Sequence, residues 1–358
     1  MPTHNYKSEL EDLITRALAG GASDVHLTSG RYPTFRISGN LVPLTNLPLL
    51  TPNDTMGLLS ELLLPDFKER FLANKEIDFS YDFQGRGRFR GNAFFQKGVV
   101  GVALRAIPTQ VKTLTELNLP PILDMFTRKK QGFFLVVGPV GQGKSTTLAS
   151  MVEMINQERS EHIITIEDPV EYLFQSEKSV IDQREAGIDT RDFKSGLQAT
   201  FRQDVDVIMI GEMRDQETIS AAVTAAETGH LVLSTLHTNN ASQTIDRIID
   251  SFSADQQSQI RIQLASSLLG IFSQRLIPRV SGGLIPAYEL LINNTAVSSL
   301  IRDGRTHEID VVIETGMKDG MIDMNRCLAD LVRRGEVTPD NALLYSFNQK
   351  GLERMLQG

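Results

Sequence analysis

The first hundred residues pass from a helical pattern of apolar positions to a strand-like one. Apolar residues recur at helical spacing over Ser8–Leu18, and the pair Gly20-Gly21 predicts the end of that helix. Gly39-Asn40 predicts a hairpin turn after the second strand. The predicted strands are Asp24–Leu27, Thr34–Ser38, Ile77–Phe83, Arg88–Phe95 and Val99–Ile107. We therefore expect a small α+β domain over residues 1–107.

Residues 108–121 have the composition of a linker. Three prolines stand here among several polar residues, and such a segment suits a connection between domains. The second predicted domain accordingly covers residues 122–358.

The second half of the chain alternates between apolar runs and helical segments. Near-continuous apolar runs are typical of parallel strands that are buried on both faces. The predicted strands are Phe133–Val137, Ile163–Ile166, Val207–Ile210 and Leu231–Leu236, and the helices between them are Ser145–Gln157, Phe193–Phe201 and Glu217–Thr228. This alternation predicts a doubly wound α/β domain.

After residue 252 the pattern predicts helices throughout. Ser253-Ala-Asp-Gln256 fits a capping box before a long amphipathic helix. Further helices are predicted over Ala296–Arg302, Asn325–Arg334 and Asp340–Ser346.

Composition and charge then narrow the class of protein. With 358 residues, 41% hydrophobic and 22% charged, the chain has the size and composition of a soluble protein of two domains. Its net charge of −8 gives no reason to expect direct nucleic-acid binding. Its single cysteine, Cys327, excludes an intramolecular disulfide and indicates a reducing compartment. The apolar runs fall far short of the ~20 residues of a membrane-spanning helix. We therefore expect a cytoplasmic protein without a transmembrane segment.

One motif predicts nucleotide binding directly. Residues 138–145 match GxxxxGK[ST] and lie between a predicted strand and a predicted helix, the context that this phosphate-binding loop requires. Lys144 would contact the β- and γ-phosphates of ATP, and the Ser145 hydroxyl would bind Mg²⁺. The predicted nucleotide contacts of this loop are Gly138, Pro139, Val140, Gly141, Gln142, Gly143, Lys144, Ser145 and Thr146.

Three further strands of the predicted sheet end in polar or ionisable residues. Glu167, Asp168 and Glu171 follow one strand, Glu212 follows the next, and His237 follows a third. Ligands of open α/β sheets bind beyond the carboxyl ends of the strands. Solvation of the surface would explain any one of these positions, but three of them at the nucleotide edge favour a functional site.

Each of these residues suggests a role. Glu212, after an apolar strand, is the candidate general base for the attacking water, with a salt bridge to Arg214 or a helix N-terminal acid as the alternatives. Glu167 and Glu171 are candidate Mg²⁺ ligands with Ser145, because hard cations take oxygen ligands, often through water. Glu171 is also a candidate catalytic residue. A solvated acidic turn remains a serious alternative for Asp168.

The two histidines His230 and His237 are predicted to act separately. They stand seven residues apart on one strand, or roughly 23 Å at the rise of an extended chain. Only His237 would reach the nucleotide edge and contact the γ-phosphate. His230, at the start of the strand, is more simply explained as a structural residue.

Together these motifs resemble the secretion and pilus ATPase superfamily, and within it the PilT-like ATPases of type IV pilus retraction. The matching segments are the Walker A loop Gly138–Ser145, the acidic box Ile166–Glu171, the Walker B segment Asp206–Asp215, the His box Gly229–Asn239, and the N-terminal segments Ser23–Leu27 and Gly87–Phe94. The resemblance covers nearly the whole chain.

The resemblance implies a PAS-like N-terminal domain and a RecA-like C-terminal domain. It also implies a homohexameric Mg²⁺-ATPase ring that powers pilus disassembly and twitching motility, with Arg88, Arg90 and Arg105 helping to hold the phosphates. The implied partners are an inner-membrane platform protein, at the inner face of the cytoplasmic membrane, and a paralogous retraction ATPase.

Some positions depart from the family pattern and widen the range of functions to be considered. Gln142 replaces the usual serine, at a variable position where we expect little effect, and Val205 replaces the usual proline. Ser298 stands where retraction ATPases tend to carry arginine, so an accessory, PilU-type paralogue is an alternative to the main retraction motor. A motor or a nucleotide-gated scaffold of a related secretion or DNA-uptake machine would carry the same motifs. Pilus assembly is disfavoured, because assembly ATPases carry a four-cysteine zinc motif that one cysteine cannot build.

Overall fold

The structure of the chain is a computed structural model, which describes residues 5–108 and 110–357. The chain divides into two compact units. The first contains the described residues up to Gln110 together with the segment Glu171–Leu173. The second contains Val111–Val170 and the described residues from Phe174 onwards. The division between the units thus follows Gln110, inside the segment predicted as a linker.

The first unit is built on a six-stranded antiparallel sheet in the order β3-β2-β1-β6-β5-β4. Its strands are β1 (Asp24–Thr28), β2 (Thr34–Ile37), β3 (Asn40–Pro43), β4 (Glu76–Asp82), β5 (Arg88–Gln96) and β6 (Val99–Ile107). The predicted hairpin is confirmed, because β2 and β3 pair across a turn at Ser38 and Gly39, both with positive φ.

Three helices accompany this sheet: α1 (Tyr6–Ala19), α2 (Pro52–Leu62) and α3 (Pro65–Asn74). The apolar spacing of the sequence predicts α1, whereas α2 and α3 are not among the predicted helices. The start of α2 nevertheless carries a clear signal, because Thr51 and Asp54 form a capping box around Pro52 at the first helical position.

The second unit is built on a seven-stranded sheet in the order β13-β12-β7-β11-β10-β8-β9. Its strands are β7 (Gly132–Val137), β8 (His162–Glu167), β9 (Val180–Glu185), β10 (Val207–Ile210), β11 (Leu231–Leu236), β12 (Leu268–Pro278) and β13 (Leu284–Ile292). All neighbours are parallel except β12 and β13. Every residue of β7, β10 and β11 is buried, as their near-continuous apolar sequences predict.

Helices lie between and after these strands. They are α4 (Asp124–Thr127), α5 (Lys144–Glu158), α6 (Phe193–Thr200), α7 (Gln216–Glu227), α8 (Ala241–Asp250), α9 (Ala254–Ser267), α10 (Thr295–Asp303), α11 (Ile309–Thr315), α12 (Met324–Arg333), α13 (Pro339–Tyr345) and α14 (Gln349–Gln357). Short 3-10 turns cover Pro121–Leu123, Thr306–Glu308 and Gly316–Asp319. The expected α/β class, with helical segments toward the C-terminus, is confirmed.

The expectation of helices throughout the region after residue 252 is wrong for residues 268–292. Strands β12 and β13 pair antiparallel there, and β12 also pairs with β7 at the centre of the sheet. The apolar run Leu268–Phe272 is almost entirely buried, and a short apolar run alone does not distinguish a strand from a buried helix. The turn between the strands contains Gly282 and Gly283, both at positive φ, which was the overlooked hairpin signal.

The imidazole of His162, at the start of β8, faces acceptors on both nitrogens. Its Nδ1 lies 3.0 Å from the carbonyl oxygen of Gln203 and 3.1 Å from that of Asp204, and its Nε2 lies 3.0 Å from the Asp182 carboxylate. Because all of these atoms accept hydrogen bonds, the geometry favours the doubly protonated ring. Burial lowers the pKa of His162, but the Asp182 carboxylate and the two carbonyls outweigh this and raise the pKa above its usual value.

A pKa that is raised in the folded state predicts pH-dependent stability. The His162 contribution should be fully present below the unfolded pKa and lost as the pH rises through the raised folded pKa. We expect Asp182→Asn to be less stable than the wild type near pH 6, by less than about 1 kcal/mol because Asp182 is exposed, and the difference to shrink toward pH 9. Urea unfolding over this range measures the effect, and a difference that stays constant with pH would contradict it.

Candidate functional site

The phosphate-binding loop joins β7 to α5 in a conformation that requires glycine. Gly138 has a φ of 149° and Gly143 a φ of 79°, both outside the usual range of residues with side chains. A β-carbon on Gly138 would lie 2.5 Å from the backbone oxygen of Gln274, on β12. The loop is therefore packed against a neighbouring strand as well as curved around its own interior.

Lys144, the first residue of α5, directs its ammonium group into this loop. Its Nζ donates hydrogen bonds to the carbonyl oxygens of Gly138 and Pro139, both at 2.9 Å. The residue is buried, with 7% of its surface exposed. A cation enclosed by the loop at a helix N-terminus is the arrangement that binds phosphate. Ser145 and Thr146 follow in the first turn of the same helix.

Glu212 and His237 meet at the same edge of the sheet. Because β10 and β11 are parallel neighbours, the residues that follow them leave the sheet side by side. The Nε2 atom of His237 lies 3.4 Å from a carboxylate oxygen of Glu212, and Glu212 also forms an ion pair with Arg214. The salt bridge to Arg214, one alternative interpretation of Glu212, is thus present, and the role of Glu212 as general base stays a prediction.

His237 also contacts the phosphate-binding loop. Its Nδ1 lies 3.3 Å from Nζ of Lys144. Since an ammonium group can only donate, Nδ1 has to accept, and the ring proton then belongs on Nε2, where it faces Glu212. This tautomer follows from the hydrogen-bond partners. Lys144, His237 and Glu212 therefore form one chain of contacts. The sequence predicts each of them as a site residue but does not predict that they contact one another.

His230 lies at the opposite end of β11, as the spacing argument predicted. Its Nδ1 lies 3.0 Å from the carbonyl oxygen of Ala225, and its ring packs edge-on against Phe201. These contacts join the end of α7 to the start of β11, so they give His230 a structural role.

The acidic box contributes a buried carboxylate at the same edge. Glu167 ends β8 and accepts hydrogen bonds from Thr165 at 2.6 Å and Gln183 at 3.3 Å. It lies beside Gly211, since a β-carbon there would be 3.8 Å from the Glu167 side chain. Asp168 and Pro169 follow, joined by a cis peptide bond. Glu171 belongs to the segment that groups with the first unit, so its predicted role stays a prediction.

The three predicted arginines lie in the first unit, in its antiparallel sheet. Arg90 on β5 is directly opposite Arg105 on β6, and Arg88 stands two residues before Arg90 on the same face. Arg105 donates a hydrogen bond to Asp24 on β1 at 2.9 Å. Asp24 also forms an ion pair with Arg36 on β2 at 3.7 Å. The same face also carries Asp82 on β4, opposite Arg88, so arginines and carboxylates alternate across it.

Two glutamines hold the phosphate-binding loop to β12, a role that the sequence did not indicate for either of them. The Gln142 side chain accepts a hydrogen bond from the backbone N–H of Leu276 at 2.7 Å, and Gln274 donates to the Gln142 carbonyl at 2.8 Å. Gln274 also accepts from Thr147 on α5 at 2.7 Å. We expected the replacement of the usual serine by Gln142 to have little effect, but the structure shows that the Gln142 side chain contacts β12. The signals for β12 were the apolar run that begins it and the glycine pair in the turn that follows it.

Two features are absent from the described ranges, 5–108 and 110–357. No three or more His, Cys, Asp or Glu residues in these ranges lie close enough together to hold a metal ion. No helix in these ranges has both the length and the apolar character needed to cross a membrane.

Comparison with known proteins places this geometry in a family. A family model described as type II/IV secretion system protein matches residues 102–306. The type IV pilus retraction ATPase PilT of Pseudomonas aeruginosa is 40% identical over 93% of this chain and 97% of its own. The type IV pilus ATPase PilU of the same organism is 40% identical over 98% of this chain and 91% of its own. A crystal structure of the pilus retraction motor PilT with bound ADP is 46% identical, with a TM-score of 0.89 over 96% of this chain and 98% of that one.

The chain therefore belongs to the type II/IV secretion system protein family. These relatives place it among the pilus ATPase motors of the secretion ATPase superfamily, which confirms the predicted resemblance and the predicted ATPase class. The ADP-bound relative supports the predicted nucleotide binding.

The contact of Gln142 with Leu276 predicts an effect on nucleotide affinity. Gln142→Ala removes one hydrogen bond that holds the loop to β12, and such a bond contributes about 1 kcal/mol. We expect the dissociation constant for ADP to rise about fivefold, as measured by calorimetric titration. Gln157→Ala is the matched control, because this exposed glutamine of α5 donates to Glu153 in its own helix. Equal affinities in the two variants would contradict the anchoring role.

Proposed function

We propose that the chain is the motor of type IV pilus retraction and that it hydrolyses ATP to ADP and phosphate at the carboxyl edge of the second unit's sheet. The observation that carries the proposal is the chain of contacts from Lys144 through His237 to Glu212. It joins the cation proposed to bind phosphate, the group proposed to contact the γ-phosphate, and a carboxylate able to accept a proton from water.

The roles of these residues follow from their chemistry. Lys144 binds the β- and γ-phosphates together with the backbone N–H groups of the loop. Glu212 acts as the general base. His237 bridges the two, so that the position of Glu212 depends on the occupancy of the loop.

Mg²⁺ is the proposed metal cofactor. The Ser145 hydroxyl, in the first turn of α5, is the proposed direct ligand, and Glu167 and Glu171 are the proposed acidic ligands. Magnesium in nucleotide sites takes most of its ligands from phosphates and water, and one or two carboxylates complete the set. The buried position of Glu167 beside Gly211 supports its part in this assignment.

Arg88, Arg90 and Arg105 are proposed to bind phosphate oxygens. Like charges directly opposite each other on neighbouring strands destabilise a sheet, and Arg90 and Arg105 are such a pair. Arg105 already pairs with the Asp24 carboxylate, and a bound anion would add a further negative charge beside Arg90. The planar guanidinium group also suits two-point contact with phosphate better than an ammonium group does.

Retraction is the direction that the relatives and the cysteine count favour. An accessory, PilU-type role is the second candidate, because PilT and PilU of Pseudomonas aeruginosa are equally similar to this chain. Ser298 also favours it: on α10 its hydroxyl lies 3.0 Å from the carbonyl oxygen of Ala265 and 3.0 Å from the side-chain oxygen of Asn293. The Ser298 hydroxyl is thus hydrogen-bonded within the second unit, at a position where an arginine would introduce a positive charge. A motor or nucleotide-gated scaffold of another secretion or DNA-uptake machine is the third candidate.

The proposed working form is a homohexameric ring at the inner face of the cytoplasmic membrane. There it would act on an inner-membrane platform protein of the pilus, alone or beside a paralogous retraction ATPase.

Hydrolysis is tested by separating nucleotide binding from turnover. Glu212→Gln preserves the shape of the side chain but removes the base, so turnover should fall at least ~100-fold while ATP binding persists. Lys144→Ala should instead abolish tight binding, because the phosphates lose their enclosed cation. Steady-state phosphate release and nucleotide titration measure the two effects. The matched control is His230→Ala, at the far end of β11, which should turn over ATP at a near-normal rate. A Glu212→Gln protein with wild-type turnover would refute the assignment.

Retraction is tested in cells that carry a deletion of this chain. A retraction motor is needed to remove pili, so we expect loss of twitching motility together with more pili on the cell surface. Complementation with the wild-type chain should reverse both effects, and complementation with Glu212→Gln should reverse neither. Unchanged piliation with normal twitching would contradict a primary retraction role and favour the accessory candidate.

A further inference from the structure

The loop of residues 238–240, which follows His237, is held at its far end by a buried glutamate. Glu289 lies on β13, opposite Ser273 on β12. Its Oε1 accepts hydrogen bonds from the backbone N–H of Ala241, the first residue of α8, at 2.9 Å, and from the Ser273 hydroxyl at 3.3 Å. Burial raises the pKa of Glu289 to about 7.

A buried arginine holds the middle of the same loop. Arg275, two residues after Ser273 on the same face of β12, has only 8% of its surface exposed. Its Nη2 donates to the Asn239 side chain at 2.8 Å, and its guanidinium group lies 5.3 Å from the ring centre of Phe347. Burial lowers the pKa of Arg275, and the nearby charge of Glu289 raises it.

Capping of α8 alone does not account for this pair. The helix already has a cap, because the Asn240 side chain accepts from the backbone N–H of Gln243 at 2.9 Å. The hydrogen bond of Arg275 goes to the loop residue Asn239 and not to the helix. Two buried ionisable groups are costly to maintain. What they share is that each fixes one point of the short loop behind His237.

Resting on the ATPase site proposed above, we propose that Glu289 and Arg275 are positioning residues that fix the loop 238–240 and thereby hold the imidazole of His237 between Lys144 and Glu212. Neither residue is placed in contact with the nucleotide. They act on turnover, because the orientation of His237 governs the reacting geometry, while the loop around Lys144 still binds phosphate. Misplacement by about 1 Å in such a site lowers the rate by up to about a hundredfold.

A double-mutant cycle tests this coupling. Arg275→Met removes the donor and Asn239→Ala removes the acceptor of the same hydrogen bond. Each should lower kcat by roughly tenfold with less than about a twofold change in ADP affinity, and the double variant should lose little more than either single one. Asn239→Asp keeps an acceptor and should restore most of the turnover lost in Asn239→Ala. Independent, multiplying losses in the double variant would overturn the coupling.

The matched control lies just beyond the same strand. Arg279 directly follows β12 and pairs with Glu336 through two hydrogen bonds, at 2.5 and 2.9 Å. Arg279→Met should lower the melting temperature without lowering kcat, so a general loss of stability is distinguished from misplacement of His237. A drop in kcat as large as that of Arg275→Met would overturn the inference.

Hydrogen exchange of residues 238–245 gives a readout that does not depend on hydrolysis. Arg275→Met and Glu289→Met, each of which removes the polar group that holds the loop, should speed exchange in this segment in nucleotide-free protein, and Arg279→Met should not. Unchanged protection in both variants would overturn the inference even if the wild type hydrolyses ATP. A wild type that binds no nucleotide would overturn the proposed function, while the exchange experiment would still decide whether the two residues hold the loop.

Discussion

The parallel strands β7, β11, β10 and β8 end at one edge of the second unit's sheet, and the site depends on this convergence. Each strand contributes one group there: Gly138 opens the phosphate-binding loop, and His237, Glu212 and Glu167 follow in spatial order. Strands buried on both faces hold their register firmly, because a slip by one residue would reverse every side chain. The few polar groups at the edge are therefore positioned by apolar packing far from the chemistry.

Groups of different charge follow one another at this edge. The Lys144 ammonium, a neutral His237 ring, the Glu212 carboxylate and the Arg214 guanidinium follow one another in contact. Within this chain of contacts, His237 is the member that can either donate or accept at each end. A phosphate that draws Lys144 away from the loop carbonyls would change what Nδ1 faces, and the change would be felt at Nε2. Under the proposed function, the histidine would connect the occupancy of the loop to the carboxylate.

Most strands of both sheets could be predicted from the sequence, because their apolar patterns are clear. The residues that lie at the nucleotide edge could be predicted with them. The central strands were predictable because complete burial leaves an uninterrupted apolar run. β9 was missed because it has a largely polar sequence at the edge of the sheet. β12 and β13 were mistaken for helix because a buried apolar run has no distinguishing period. Arg275 and Glu289 lie on these two strands, so their contacts could not be predicted either. The contact of Gln142 with Leu276 joins residues 134 positions apart, and such a long-range contact leaves no local signal in the sequence.

The contact of Gln142 with β12 makes the phosphate-binding loop less transferable than its motif suggests. Beyond Ser273, β12 no longer pairs with β7, and the Gln142 side chain accepts the N–H of Leu276 there as a neighbouring strand would. The serine usual in relatives is too short to bridge this gap. Exchanging the loop with that of a relative would therefore leave a backbone donor unsatisfied unless β12 were exchanged with it. In evolutionary terms, position 142 and the end of β12 are expected to change together.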